Sequence, residues 1–272
     1  MVWNVNPEIF TLGMFHIHWY GLFFATAFVI GYSIIRKIFE IEHTPIERVD
    51  SLLWHTMAGT FIGARLGHCL FYEPQIYLAD PIRILKIWEG GLASHGAAIG
   101  VILSFWLYSR RFKEYSFLEV FDRMSMPITI SCFMIRMGNF FNSEIIGKPS
   151  DLPWAIIFER VDHTPRHPAQ LYEAVTYLSL FIFVSYLFWK TDIKRHVGRL
   201  FGIMLVGIFF SRFVLEFVKE NQVAFESRLP LNLGQLLSIP LVAMGVYLIF
   251  SAKLSEKPRT LPKPRSSRKA LK

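Results

Sequence analysis

Seven stretches of this chain come near the length that a helix needs to cross a bilayer, roughly 20 mostly apolar residues. They run over about Trp19–Ile35, Leu52–Phe71, Leu92–Tyr108, Phe117–Ile135, Leu171–Trp189, Leu200–Val218 and Leu231–Phe250. In hydrocarbon every backbone N–H and C=O must find a partner inside the protein, so each stretch is predicted to be a helix. The fourth is interrupted by Asp122, Arg123 and Pro127 and has room to start later and run on to Phe141. Composition agrees: 53% of residues are hydrophobic and only 18% charged, against about 25% charged in a soluble domain. A soluble enzyme, a disordered chain and a disulfide scaffold are excluded. Cys69 and Cys132 both sit in apolar stretches without CxxC spacing, the setting of inert buried thiols rather than of a zinc site or a nucleophile. The expected fold class is an all-α polytopic membrane protein with seven transmembrane helices.

The basic residues orient it, because Lys and Arg accumulate in cytoplasmic loops. Of 29, the loops after odd-numbered stretches and the tail from Lys253 hold 19, the even-numbered loops hold 7, and Met1–His18 holds none. The expected topology therefore has the N-terminus outside and the C-terminus in the cytoplasm. The first residues lack a basic n-region and a small-residue cleavage site, so no signal peptide is expected to be removed. Residues 1–250 are read as one seven-helix domain with two insertions. Glu73–Gly91 mixes Ile76, Tyr77, Ile82, Leu85 and Trp88 with Asp80, Arg83 and Lys86, as in an amphipathic arm on the membrane surface. Asn142–Gln170, rich in proline and charge, is expected to form a small external head. Residues 251–272 are a basic, proline-containing tail, predicted to be disordered and suited to anionic inner-leaflet lipid.

Apart from Arg123 at the interrupted start of the fourth stretch, counted above with the loop before it, three arginines, Arg65, Arg136 and Arg212, fall within or at the end of apolar stretches. A charge at the bilayer centre costs roughly 2.5–3.5 kcal/mol even on the gentlest scale, so such groups face polar cavities or pair. In the expected topology all three lie toward the outer face, as do Tyr20 and His95. Five polar residues from five stretches thus converge on one depth. In the run Arg136-Met-Gly138-Asn139-Phe-Phe-Asn142-Ser143-Glu144-Ile-Ile-Gly147, residues 136, 139 and 143 share a helical face, and Gly138 allows close backbone approach. Arg212 and Glu216 have i,i+4 spacing for an ion pair. The plainer alternative is that these charges, with Glu173, only neutralise one another. His95 follows Gly90-Gly91-Leu-Ala-Ser94, small residues that leave a ring accessible, although a lone His is often a satisfied core group. His16 and His18 suit an interfacial belt with Trp19 and Tyr20, and His163 and His167 a structural place in the head.

Guanidinium groups bind phosphate through two parallel hydrogen bonds. Two of them beside a His base, open to the outer leaflet, point to chemistry on a phospholipid. From the residues alone another lipid-modifying transferase, or a transporter of an anionic solute, stays open. The absence of an inverted repeat weighs against the transporter. No metal cluster, nucleotide-binding glycine loop, soluble cofactor or nucleic-acid partner is implied.

At these residues the chain resembles the prolipoprotein diacylglyceryl transferase family of bacteria. The resemblance runs from His18-Trp19-Tyr20-Gly21 to Gly234-Gln235-Leu-Leu-Ser-Ile-Pro240. Between them come Gly63-Ala-Arg65-Leu-Gly67, Gly90-Gly91 with His95-Gly96, Arg166-His167-Pro168-Ala-Gln170-Leu-Tyr172-Glu173 and Arg212-Phe-Val-Leu-Glu216-Phe217. The Arg136–Gly147 run is the most specific of these. The resemblance implies transfer of the diacylglyceryl group of phosphatidylglycerol to the lipobox cysteine thiol of a prolipoprotein. A thioether forms and glycerol phosphate is released, in the bacterial inner membrane, from a site opening toward the outer leaflet. It implies as important residues Tyr20, His95, Arg136, Asn139, Glu144, Gly147, Arg212 and Glu216. The chemistry then suggests His95 as the base for the thiol, with a hydrogen-bonding or structural role as the alternative. Arg136 and Arg212 would be the phosphate clamp, and Tyr20, Asn139 and Glu144 groups that position the lipid head and the arginines. Ser94, Ser143 and Ala169 are small departures from the family pattern. Lys219 stands where the family often has Arg, and is left outside the catalytic set because an ammonium lacks the bidentate fork.

Overall fold

The computed structural model describes residues 1–13, 15–86, 90–220 and 230–255. Each of the seven apolar stretches is helical: α1 (Trp19–Ile41), α2 (Glu47–Phe71), α4 (Ser94–Arg111), α5 (Phe117–Phe141), α6 (Ala169–Lys190), α7 (Arg199–Leu215) and α8 (Leu233–Ser251), with a short α3 (Pro74–Ala79) after α2. Four segments, Trp19–Ile41, Ala169–Lys190, Arg199–Val218 and Leu233–Ser251, are long and apolar enough to cross a membrane. Only 22–33% of their most apolar windows is buried in protein. Helices that are apolar all round yet leave most of that surface uncovered need an apolar medium around them. On α6 the uncovered side carries Val175, Ile182, Phe183 and Tyr186, and on α8 Leu237, Ile239, Tyr247 and Phe250. Two compact units divide the chain, Met1–Ile35 with Asp122–Lys257, and Arg36–Phe121.

In the first unit the fourth apolar stretch is one continuous helix, α5, despite Pro127. Its buried Asp122 has a structural use. The carboxylate accepts from the backbone N–H of Gly198 at 2.7 Å and of Phe201 at 2.9 Å, satisfying donors that the first turn of α7 leaves without intrahelical partners. The all-α expectation needs one correction, at the surface. The N-terminal residues form strands β1 (Val2–Trp3), β2 (Glu8–Leu12) and β3 (Phe15–His18), and the head contributes β4 (Ile156–Phe158) and β5 (Pro165–Arg166). β1 pairs in parallel with β4, which pairs antiparallel with β5, while β2 and β3 form a hairpin. His16 and His18, expected in a belt beside the helix, are exposed on β3. Under this sheet Phe140, Ile156 and Phe158 make a small core, joined by Trp3, Phe141, Ile146 and Leu171.

In the second unit α2 packs on α4 through small residues. A Cβ on Gly67 would stand 2.6 Å from Gly96 Cα, and one on Gly59 2.9 Å from the Gly100 carbonyl carbon. Such contacts let two backbones approach as closely as membrane helices commonly do. The arm follows α2 as α3 and a 3-10 turn over Pro81–Leu85, with Leu78, Ile82 and Leu85 exposed. Trp88 of the arm and residues 256–272 of the tail lie outside the described residues.

Candidate functional site

One end of the first unit gathers helix termini that carry polar groups. The end of α5 supplies Arg136 and Asn139, the start of α6 Gln170 and Glu173, the end of α7 Arg212, and the start of α8 Gly234 and Gln235. Beyond Leu215 the chain tightens into a 3-10 turn over Glu216–Val218. That turn puts Glu216 and Lys219 three residues apart on the same side.

A chain of alternating charges crosses this end. Arg136 Nε lies 2.8 Å from Glu173 Oε2, and Glu173 is fully buried. Lys219 Nζ stands 3.6 Å from Glu173 Oε1 and donates to Glu216 Oε1 at 2.8 Å. Glu216 Oε1 is in turn 3.5 Å from Arg212 Nε. Asn232 also donates to Glu216 Oε2 at 3.1 Å. It holds α8 in a reciprocal capping arrangement with Gln235. Gly234 leaves room for the carboxylate, since a Cβ there would stand 2.6 Å from Glu216 Cδ. Arg136 is further fixed by donating to Asn139 Oδ1 at 3.1 Å and by a hydrogen bond to Tyr177. Arg212 is different. Its side chain is 32% exposed, and among the described residues its terminal nitrogens Nη1 and Nη2 engage no partner.

The Arg136–Gly147 run leaves the helix sooner than its periodicity suggests. α5 ends at Phe141, and Ser143 (φ 56°) and Ile145 (φ 57°) adopt left-handed backbone. Ser143 is therefore not on a helical face with Arg136 and Asn139. For a β-branched residue such as Ile145 that conformation is an outlier, held only where the surroundings over-determine it. Here they do: Gln170 Nε2 donates to the Glu144 carbonyl at 2.6 Å and Glu144 N to Asn139 O at 2.9 Å. The turn sends the exposed Glu144 carboxylate back to Asn139 Nδ2 and Asn142 Nδ2, both at 3.2 Å. Tyr20, at the start of α1, feels the charges of Glu144 and Arg136. Its ring lies on Gly138, where a Cβ would stand 2.8 Å from Tyr20 Cδ2.

Gly147 belongs to the packing beneath. It bridges to Lys219 and donates to His167 O at 3.0 Å. A Cβ on it would meet His167 Cβ at 2.5 Å and Val218 O at 2.9 Å. Arg166 closes the same layer. Its Nη1 donates to the Gly147 carbonyl at 3.2 Å and to Glu220 Oε2 at 2.9 Å, while Nη2 reaches Asp162 Oδ2 at 2.6 Å. The Arg166 hydrogen bond holds the Asp162 carboxyl below its ordinary value. His167 bonds Tyr172 at 3.2 Å and Trp154 donates to that hydroxyl at 2.8 Å.

Of the five groups expected at one depth, Tyr20, Arg136 and Arg212 meet in this cluster, and Arg65 and His95 lie in the second unit. Arg65 is 3% exposed and has its donors engaged by backbone. Nε donates to Ile84 O (2.8 Å), Nη2 to Arg83 O (2.6 Å) and Lys86 O (3.1 Å), and Nη1 to Gly91 O (3.3 Å) and the Gly90 carbonyl. Gly90 and Gly91 have φ of 85° and 77°, which glycine reaches freely. The pair that suggested a tight turn into the third stretch also aims carbonyls at a guanidinium. Arg65 thus organises the arm. His95 is the second residue of α4, exposed, and its ring has no hydrogen-bonding partner among the described residues. Asn142 and Gln170 stand in the motifs quoted above without a role of their own, and Tyr177 and Asn232 were not singled out. Only Asn232 carried a usable local signal, an Asn three residues before Gln at a helix start.

Comparisons with known proteins agree on one family. The family profile described as prolipoprotein diacylglyceryl transferase matches residues 7–251. A phosphatidylglycerol–prolipoprotein diacylglyceryl transferase of Chloroherpeton thalassium is 48% identical over 92% of this chain and 93% of its own length. Proteins of the same name from Tolumonas auensis and Porphyromonas gingivalis are 47% and 45% identical, over 93% of this chain and 98% and 94% of theirs.

Proposed function

Because the chain belongs to the prolipoprotein diacylglyceryl transferase family, we propose that it moves the diacylglyceryl group of phosphatidylglycerol to the lipobox cysteine of a prolipoprotein. The thiolate sulfur attacks the glyceryl carbon that bears the phosphate ester. The C–S bond forms as the C–O bond breaks, and glycerol phosphate leaves with the bonding electron pair. The observation that carries this reading is the inequality of donors in the charged chain. Arg136 is anchored on Glu173 and Asn139, while the two terminal nitrogens of Arg212 engage no partner among the described residues. That is the arrangement that phosphate, and the charge growing on a departing phosphate oxygen, calls for.

In this mechanism Arg136 and Arg212 clamp the phosphate. Asn139 and Glu144 hold Arg136 and the head group, Tyr20 covers them, Glu216 orients Arg212, and Gly147 keeps the supporting layer closed. His95 takes the thiol proton, because a cysteine of pKa about 8.5 is a poor nucleophile until ionised. An exposed imidazole without a partner among the described residues suits that task. The catalytic domain is 1–250, with arm 73–91, head 142–170 and tail 251–272. Seven helices cross the bacterial inner membrane with the N-terminus outside, the tail inside and the site facing the outer leaflet. The 19 to 7 division of basic residues supports that orientation.

The test is incubation of the purified protein in phosphatidylglycerol vesicles with a lipobox peptide, followed by mass spectrometry of the cysteine. The expected result is a diacylglyceryl adduct with release of glycerol phosphate. An unmodified cysteine with intact, inserted protein would overturn the proposal.

A further inference from the structure

Lys219 is the one member of the charged chain that neither the mechanism nor the sequence reading uses. Its side chain is 1% exposed, and its ammonium sits between two carboxylates, 2.8 Å from Glu216 and 3.6 Å from Glu173. Each of those carboxylates is also the partner of one arginine. The five groups hold three cations, Arg136, Lys219 and Arg212, against two anions, Glu173 and Glu216, which leaves one net positive charge. A buried ammonium is costly to desolvate unless it is well paired, so its position asks for a reason.

We propose that Lys219 is a positioning residue that keeps the two arginines available to an anionic lipid head group. By sharing Glu173 and Glu216, the ammonium competes with the arginines for both carboxylates. The competition is seen at Glu216, whose short contact is with Lys219 and whose contact with Arg212 Nε is looser by 0.7 Å. At Glu173 the short contact stays with Arg136, 2.8 Å against 3.6 Å to Lys219. The backbone fixes Lys219 independently of its charge. It bridges to Gly147, Lys148 N donates to Val218 O at 2.9 Å, and Glu220 N donates to Ile146 O at 3.2 Å. The run that carries Glu144 therefore also carries the strand that aims Lys219. Without the ammonium each carboxylate would turn fully to its own arginine. The chain of charges would be electrically neutral, and a phosphate would have to compete with both.

The inference rests on the function proposed above, and the assay separates the two, since parent protein without activity would sink that function first. With active parent, Lys219→Met is expected to raise KM for phosphatidylglycerol by ~tenfold, the ratio that about 1.4 kcal/mol represents. Its kcat should change far less. Lys219→Arg should restore KM. The double variant Lys219→Met/Glu173→Gln removes one anion along with the cation and returns the net charge to one. It should bind lipid better than Lys219→Met alone. A purely structural role for Lys219 predicts the reverse, with damage accumulating in the double variant. Should Lys219→Met fail to insert, Glu173→Gln alone decides: freed positive charge lowers KM while the unanchored Arg136 lowers kcat. An unchanged KM in Lys219→Met, a double variant worse than the single, or a raised KM in Glu173→Gln would overturn the inference.

Discussion

Arg65 and Arg212 are both arginines in apolar helices, and the protein uses them in opposite ways. Arg65 is nearly fully buried and donates to five backbone carbonyls of the arm. Arg212 is a third exposed, has one loose carboxylate contact, and leaves its two terminal nitrogens unengaged among the described residues. A guanidinium offers five donors in a fixed fork. Saturated by carbonyls, it is a structural bolt; left open, it suits the phosphate-binding role proposed for Arg212. Depth in the membrane, which the two share in the expected topology, does not separate these roles.

Removing each arginine and reading two quantities, transfer rate and stability, separates the two roles most strongly. Arg212→Ala and Arg136→Ala should lower transfer by about 10²–10³-fold, the usual cost of losing one donor group aimed at developing negative charge. Thermal stability in detergent should stay near the parent value for Arg212→Ala. Arg212→Lys should recover only part of the activity, because an ammonium keeps charge without the fork. Full activity in either alanine variant would end the phosphate assignment.

His95 extends the comparison into the second unit, where it is the unengaged counterpart of the engaged Arg65. As general base it should be worth about 10²-fold at neutral pH, the lower end of the usual range. The deficit of His95→Gln should shrink as pH rises toward about 8.5, where the substrate thiol ionises unaided. A deficit that is constant with pH would assign His95 to hydrogen bonding or structure instead.

Arg65→Met should give the inverse of Arg212→Ala. Several carbonyls of the arm would lose their donor, and each buried carbonyl left unpaired costs about 1–3 kcal/mol, less where water reaches it. The expected outcome is a lower unfolding midpoint and faster proteolysis within 73–91, with transfer by the surviving folded protein reduced less than in Arg212→Ala. Arg65→Lys should not rescue stability, because three donors at one point cannot serve five carbonyls. Parent-like stability in both variants would show that the arm holds itself.

How much of this was legible in the chain depends on the range of the interaction. Helices follow from local apolarity, so all seven were visible, and so was the Arg212–Glu216 pair, which lies within one turn. The Arg136–Glu144 cluster was half visible. Helical spacing pointed to Ser143, whereas the chain had already left the helix at Phe141 and returned Glu144 through two left-handed residues. Nothing local announces that β1 will pair with a strand 155 positions away, Val2 with Ile157, or that Lys219 will stand beside Glu173. Arg65 misled because its partners are carbonyls, which no side-chain pattern records.

A weaker effect is expected in the layer beneath the site, where Arg166 is engaged as fully as Arg65 but within 142–170, the proposed external head. Its contacts to Asp162, Glu220 and the Gly147 carbonyl tie the head to the Arg136–Gly147 run. The Asp162 carboxyl is held below its ordinary value by the Arg166 hydrogen bond. A carboxyl whose folded pKa is depressed contributes stability that is present above the unfolded value. That contribution is lost as pH falls through the folded value. Proteolysis of 142–170 should therefore quicken as pH drops below about 4, the ordinary carboxylate value. Asp162→Asn should remove that part of the pH dependence and leave the neutral-pH rate slightly raised, since the pair is only half-buried and water partly screens it. Were the acid sensitivity of the head the same in Asp162→Asn, the Asp162 carboxylate would not be the contact that ties the head down at neutral pH.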